Sequence, residues 1–153
     1  MTDFKLFSTA ILLATAAALF SSCENMPKFP LTVKKPPFAL SGFEIRRGPI
    51  DQVCLTACAS FYFINGSAEE LRAFKINFRL YDGQGEPIGR GDNKVTFRYS
   101  GTIAPGANRE ITLSLDQFVP YETAVIIADH IYVESVLFGS GDTWEDPYGL
   151  WTW

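Results

Sequence analysis

Histidine is nearly absent from this 153-residue chain, with one copy, and cysteine is scarce, with three. A metal centre or a catalytic dyad built on these residue types has few partners to draw on. Cations are also in short supply. The 13 Lys and Arg against 17 Asp and Glu leave a net charge of −4, without the basic surface of a nucleic-acid binder. From Glu110 to Trp153 there is no Lys or Arg at all, while Glu110, Asp116, Glu122, Asp129, Glu134, Asp142, Glu145 and Asp146 are acidic. No apolar run reaches the ~20 residues that a membrane-spanning helix needs. No internal repeat or low-complexity run follows residue 40, and the length points to one domain.

What is abundant is hydrophobic and aromatic. Hydrophobic residues make up 47% and charged residues 20%, a globular composition. Phe alone has 13 copies, a strand-favouring residue with a large buried area. Residues 1–22 have the plan of an export signal: Lys5 supplies a positive start, and Leu6–Phe20 is an apolar stretch rich in Leu and Ala. Ser21 and Ser22 then precede Cys23.

The stretch Leu19-Phe20-Ser21-Ser22-Cys23 resembles the bacterial lipobox, with Phe20 where Leu is usual. The resemblance implies a diacylated Cys23 as the mature N-terminus and a partner in the membrane itself, cell membrane or outer membrane, with the domain outside the cytoplasm. Two or more acyl chains, at ~0.8 kcal/mol per buried CH₂, hold a protein stably on a bilayer. Residues 23–40 then read as the lipidated Cys and a tether. Pro27, Pro30, Pro36 and Pro37 oppose helix and central strand and favour an extended chain. The basic Lys28, Lys34, Lys35, Arg46 and Arg47 read as an ordinary solvated face, or as a segment near anionic lipid.

Residues 41–153 show the period-2 alternation of half-buried strands. In Val53–Ile64 the odd positions Val53, Leu55, Ala57, Ala59, Phe61 and Phe63 are apolar. Phe74, Ile76, Phe78 and Leu80 alternate with Lys75, Asn77 and Arg79. Val95, Phe97 and Tyr99 form a third run, and Ile111, Leu113 and Leu115 a fourth. In a last strand Ile131, Val133 and Leu137 share one face and Tyr132, Val136 and Phe138 the other. Turn residues separate the runs at Asn65-Gly66-Ser67, Asp82-Gly83-Gln84-Gly85, Pro105-Gly106 and Gly139-Ser140-Gly141-Asp142. A short helix is expected near Leu115–Phe118 or Thr123–Ala128. The pattern predicts an all-β fold, an immunoglobulin-like antiparallel β-sandwich of about seven strands, preceded by a signal helix and an extended tether.

Phe78-Arg79-Leu80-Tyr81-Asp82, followed by Gly83-Gln84-Gly85-Glu86-Pro87-Ile88, is similar to the FxLYD domain of bacterial extracytoplasmic proteins. Asn65 in a turn and the Pro105-Gly106 turn fit the same pattern, so the resemblance covers roughly residues 53–115. It implies a small envelope-attached β-sandwich without enzyme activity, in which Phe78 and Leu80 are core and Asp82 and Gly83 are turn.

Candidate chemistry is sparse. Cys54 and Cys58 on one strand would have Cα atoms about 13 Å apart, beyond the roughly 4.4–6.8 Å of a disulfide, so two reduced thiols are expected. His130 beside Asp129 has no recognisable nucleophile and reads as a surface histidine. Arg90-Gly91-Asp92 spells an integrin-type tripeptide in a hairpin loop. Asp142, Glu145 and Asp146 are oxygen donors without calcium-loop spacing, and read as a solvated acidic turn. Trp144, Tyr148, Trp151 and Trp153 either cap the sandwich or form a platform for a glycan, peptide or envelope protein. No metal, cofactor or nucleic-acid partner is expected. The sequence therefore points to a non-enzymatic structural or interaction module, with a carbohydrate- or peptide-binding module as the alternative.

Overall fold

The computed structural model describes residues 34–50, 52–89 and 93–153. The expected signal helix, Cys23 and the Arg90-Gly91-Asp92 triplet lie outside them. Seven strands follow in order: β1 (Phe38–Arg47), β2 (Ala57–Asn65), β3 (Leu71–Tyr81), β4 (Lys94–Ile103), β5 (Asn108–Ser114), β6 (Ile127–Phe138) and β7 (Thr143–Glu145). They form a three-stranded sheet, β1-β2-β5, and a four-stranded sheet, β4-β3-β6-β7, with every neighbouring pair antiparallel. Hairpins join β1 to β2, β3 to β4 and β6 to β7 within a sheet; the other three connections cross between sheets. This is the immunoglobulin-like Greek-key sandwich.

Phenylalanine fills the space between the sheets. Phe61, Phe63, Phe74 and Phe78 are buried, with Leu71, Ile76, Leu80, Leu115, Val133 and Val136 around them. Rings stack in a row through both sheets: Phe38 on Phe63 at 5.1 Å, Phe63 on Phe74 at 4.5 Å, and Phe74 on Tyr99 at 4.9 Å between centroids. Each such pair adds about 0.5–1.5 kcal/mol beyond the area it buries. The abundance of Phe thus has a place in the architecture.

Buried Asn65 ends β2 and ties the β2–β3 and β4–β5 connections together. Its side-chain amide donates to the carbonyls of Glu69 (2.8 Å) and Ile103 (2.9 Å), and its oxygen accepts from Ser67 N (3.1 Å) and Ser67 Oγ (2.7 Å). Asp82 plays the matching part after β3, where its Oδ1 accepts the amides of Gln84 and Glu86. An Asx side chain bonding backbone two and four residues on fixes a tight turn.

Several sequence expectations are corrected. Cys54 and Cys58 form a disulfide with Cα atoms 5.9 Å apart. The strand begins only at Ala57; residues 52–56 curl through turns, with Ile50 bridged to Cys54, so the extended-strand spacing does not apply. Val53 and Leu55 accordingly project outward instead of joining the core. Strand β1 starts at Phe38, within the expected tether. A bulge in β6 opposite Lys75 and Ile76 puts Val136 with Ile131 and Val133 in the core and turns Leu137 outward. No helix occurs among the described residues: Leu115–Val119 is a turn closed by Phe118 N and Val119 N on the Leu115 carbonyl, and Ile127 and Ala128 already belong to β6.

Candidate interaction site at the C-terminal loop

The chain after β7 leaves the sheet edge and returns to it. Asp146 N donates to the Glu134 carbonyl (2.8 Å), extending the β6–β7 ladder by one step. Residues 147–151 then loop out, Thr152 bridges to Tyr132, and Trp153 N donates to the Ile131 carbonyl (2.9 Å). One side chain shapes this excursion. The Asp146 carboxylate is fully buried and accepts Leu150 N at 3.0 Å and Trp151 N at 2.8 Å. Gly149, in the left-handed region at φ 64°, lies flat on Tyr132; a Cβ there would meet its ring carbons at 3.1 Å. The tetrad Asp146-Pro147-Tyr148-Gly149 carries a turn signature that marks this loop. Asp146 is therefore no solvated acid, while Asp142 and Glu145 are exposed as expected.

The four aromatics divide by position. Trp144 faces inward, 6% exposed, donates its indole N–H to the Lys34 carbonyl (2.8 Å) and meets Phe38 edge-on at 4.9 Å. Trp153 stacks on the other side of the same hub, 5.7 Å from Phe38, while remaining 38% exposed. Tyr148 is 64% exposed, Leu150 50% and Trp151 36%. Tyr148, Leu150 and Trp151 are thus accessible apolar side chains on a loop whose backbone is fixed, and Trp144 belongs to the core around Phe38.

Beside this loop, the outer face of the four-stranded sheet carries a polar network. Lys75 Nζ donates to Glu134 Oε1 (2.6 Å), Asn77 Nδ2 donates to Glu134 Oε2 (2.8 Å), and Thr96 Oγ1 donates to Asn77 Oδ1 (2.6 Å). Burial raises the Glu134 pKa, but the bonds from Lys75 and Asn77 and the charges of Lys75 and Lys94 outweigh it and hold the carboxyl below its usual range. Asn77 is fully buried although it lies on the outer side of β3. His130 is exposed, in the left-handed region at φ 51°, with its ring 5.5 Å from Tyr132.

At the far end of the sandwich, Asp116 performs the same task for the disulfide loop that Asp146 performs for the C-terminus. Its carboxylate accepts Leu55 N (2.8 Å), Thr56 N (2.7 Å) and Ala57 N (3.4 Å). Those amides, Leu55 first, hold its pKa below the ordinary value. The roles of Asp116, Asp146 and Asn65 were invisible to strand periodicity, because each acts on backbone far away or outside a strand. A cleft of 380 Å³ nearby is lined by Asp82, Pro87, Ile88, Pro120, Thr123 and Val125. Among the described residues no three His, Cys, Asp or Glu converge as metal ligands.

No family model matches the chain, and no curated protein is similar to it at a significant level. Among solved structures, a hypothetical protein from Peptoclostridium difficile 630, determined by X-ray at 1.85 Å, superposes with a TM-score of 0.51 at 13% identity. The match covers 74% of this chain and 88% of that one, and it speaks to the fold alone.

Proposed function

We propose that this chain is a lipid-anchored, non-enzymatic interaction module held outside the cytoplasm of a bacterial cell, with Cys23 as the acylated residue and an FxLYD-like sandwich as its working part. The observation that carries the reading is the Cys54–Cys58 disulfide. Structural disulfides persist in oxidising compartments and are rare where thiols are kept reduced. That agrees with the export signal and the lipobox-like stretch. The FxLYD resemblance gains a physical sense from Phe78 and Leu80 in the core and Asp82 clasping the turn amides. The test is mass analysis of the mature chain purified from membranes. A diacylglyceryl-modified Cys23 at the N-terminus is the expected result; an uncleaved, unmodified chain beginning at Met1 refutes the anchor.

A second reading, binding of a carbohydrate or peptide through the C-terminal aromatics, is favoured by the fixed exposure of Tyr148, Leu150 and Trp151. Aromatic faces held in place lose little conformational freedom on binding. Pull-down from intact envelopes with wild type and Tyr148→Ala/Trp151→Ala tests it: the double variant should lose a partner that wild type retains. Equal capture removes the loop from consideration.

A further inference from the structure

Strands β3 and β4 place like charges directly opposite one another on the exposed side of the sheet. Lys75 pairs with Arg98, and Arg79 pairs with Lys94. Asn77 and Thr96 lie between the two pairs, which sit four residues apart along the strands, about 13 Å. Like charges opposite each other destabilise a sheet, so this arrangement works against the fold. Lys75 is relieved by Glu134. Arg79 and Arg98 have no carboxylate within ion-pair distance among the described residues, and both side chains are exposed. β4 is an edge strand, so the cationic side is open along its length.

We propose that this row of cations binds a linear anionic polysaccharide running along β3 and β4. Charge distribution selects a chain over a flat surface. The same sheet face carries Asp129 and Glu134 on β6 and Glu145 on β7. A bilayer of anionic lipid would cover those acids as well and meet a nearly balanced face. A chain following the strand direction over β4 meets Arg98 and Arg79 with their neighbours Lys75 and Lys94 and leaves Glu134 and Glu145 to one side, with Asp129 opposite Arg79 on β6. Choosing a polysaccharide as the polyanion rests on the extracytoplasmic reading above.

The experiment uses the full-length protein and fluorescent polygalacturonate, followed by anisotropy at several salt concentrations. Wild type should bind in low salt. Arg79→Gln/Arg98→Gln should bind at least about tenfold more weakly, with a salt slope shallower by about two counter-ions. Its melting temperature should stay level, since the repulsions removed beside Lys75 and Lys94 are offset by losing the attraction of Arg79 to Asp129 opposite it on β6. Lys34→Gln/Lys35→Gln removes the same charge elsewhere and should bind as wild type does. Absence of wild-type binding, or equal losses in both double variants, overturns the proposal. So does equally tight binding of a single-stranded DNA oligomer, or of vesicles rich in anionic lipid, with the same dependence on Arg79 and Arg98. The assay is in solution and reads nothing from Cys23, so failure here and failure of the lipid anchor are told apart.

Discussion

Replacing Asn65 tests whether one buried amide fastens the end of the sandwich where the β2–β3 and β4–β5 connections meet. Asn65→Ala removes a buried bond to Ile103 O and partly buried bonds to Glu69 O and Ser67. Stranding a buried group costs about 1–3 kcal/mol, and each part-buried bond contributes about 0.5–1.5 kcal/mol. The expected loss is about 2–6 kcal/mol, out of a total of roughly 5–15 kcal/mol for a domain. With a urea dependence of about 1–3 kcal/mol per molar, the unfolding midpoint should fall by on the order of 1–3 M. Asn65→Asp sharpens the test. It keeps the shape but turns a donor into an oxygen facing the carbonyls of Glu69 and Ile103. The new carboxyl can donate only when protonated, so folding raises its pKa above the unfolded value of about 3.9. Its penalty is then absent below that value and grows as pH rises through the folded pKa. Asn65→Asp should therefore be weak at pH 7 and recover part of its deficit near pH 4. An Asn65→Ala midpoint within about 0.5 kcal/mol of wild type refutes the reasoning.

Reducing the Cys54–Cys58 bond opens a short loop, worth about 2 kcal/mol in chain entropy; urea curves with and without reductant should differ by that amount, and coincident curves would remove the bond from the stability of the fold. Asp146→Ala strands Leu150 N and Trp151 N, so hydrogen exchange of those amides should quicken while Phe61 and Phe63 in the core stay protected; unchanged exchange contradicts the role given to the carboxylate. Asp116 and Glu134 both have folded pKa values below their ordinary 3.8 and 4.5, so each contributes stability above those values that is lost as pH falls through the folded ones. The urea midpoint should accordingly decline below about pH 4, and Glu134→Gln should flatten part of that decline.

How far the fold was legible depended on whether a strand kept its period. β3 could be read from Leu71 to Tyr81 because Phe74, Ile76, Phe78 and Leu80 alternate without interruption against polar neighbours. β1 hid its alternation: Phe38 and Leu40 face the core, a bulge between Ser41 and Glu44 shifts the register, and Phe43 and Ile45 resume on it. The prolines just ahead of Phe38 strengthened the impression of a tether. Val53 and Leu55 erred the other way. They continue the apolar odd positions of β2, yet a turn held by Asp116 and the disulfide takes them out of the sheet. Period alone carries no signal for that turn. The disulfide was missed for the same reason, since its distance argument assumed the strand.

The C-terminal aromatics required a three-dimensional answer, because capping and display are properties of individual side chains. Phe38 receives Trp144 edge-on and Trp153 face-on, and the Trp144 indole also holds the Lys34 carbonyl. The segment entering the domain and the segment ending it therefore share one ring. Trp153 cannot move away without exposing Phe38, which itself stacks on core Phe63. Tyr148, Leu150 and Trp151 have no such obligation: their exposure is imposed by Asp146 and by Gly149 lying on Tyr132, both of which fix the backbone and leave the side chains outside. Burial of large apolar groups is the default when a loop is free to collapse. A loop braced so that three of them stay in water departs from that default, and the proposed binding through Tyr148 and Trp151 rests on this departure.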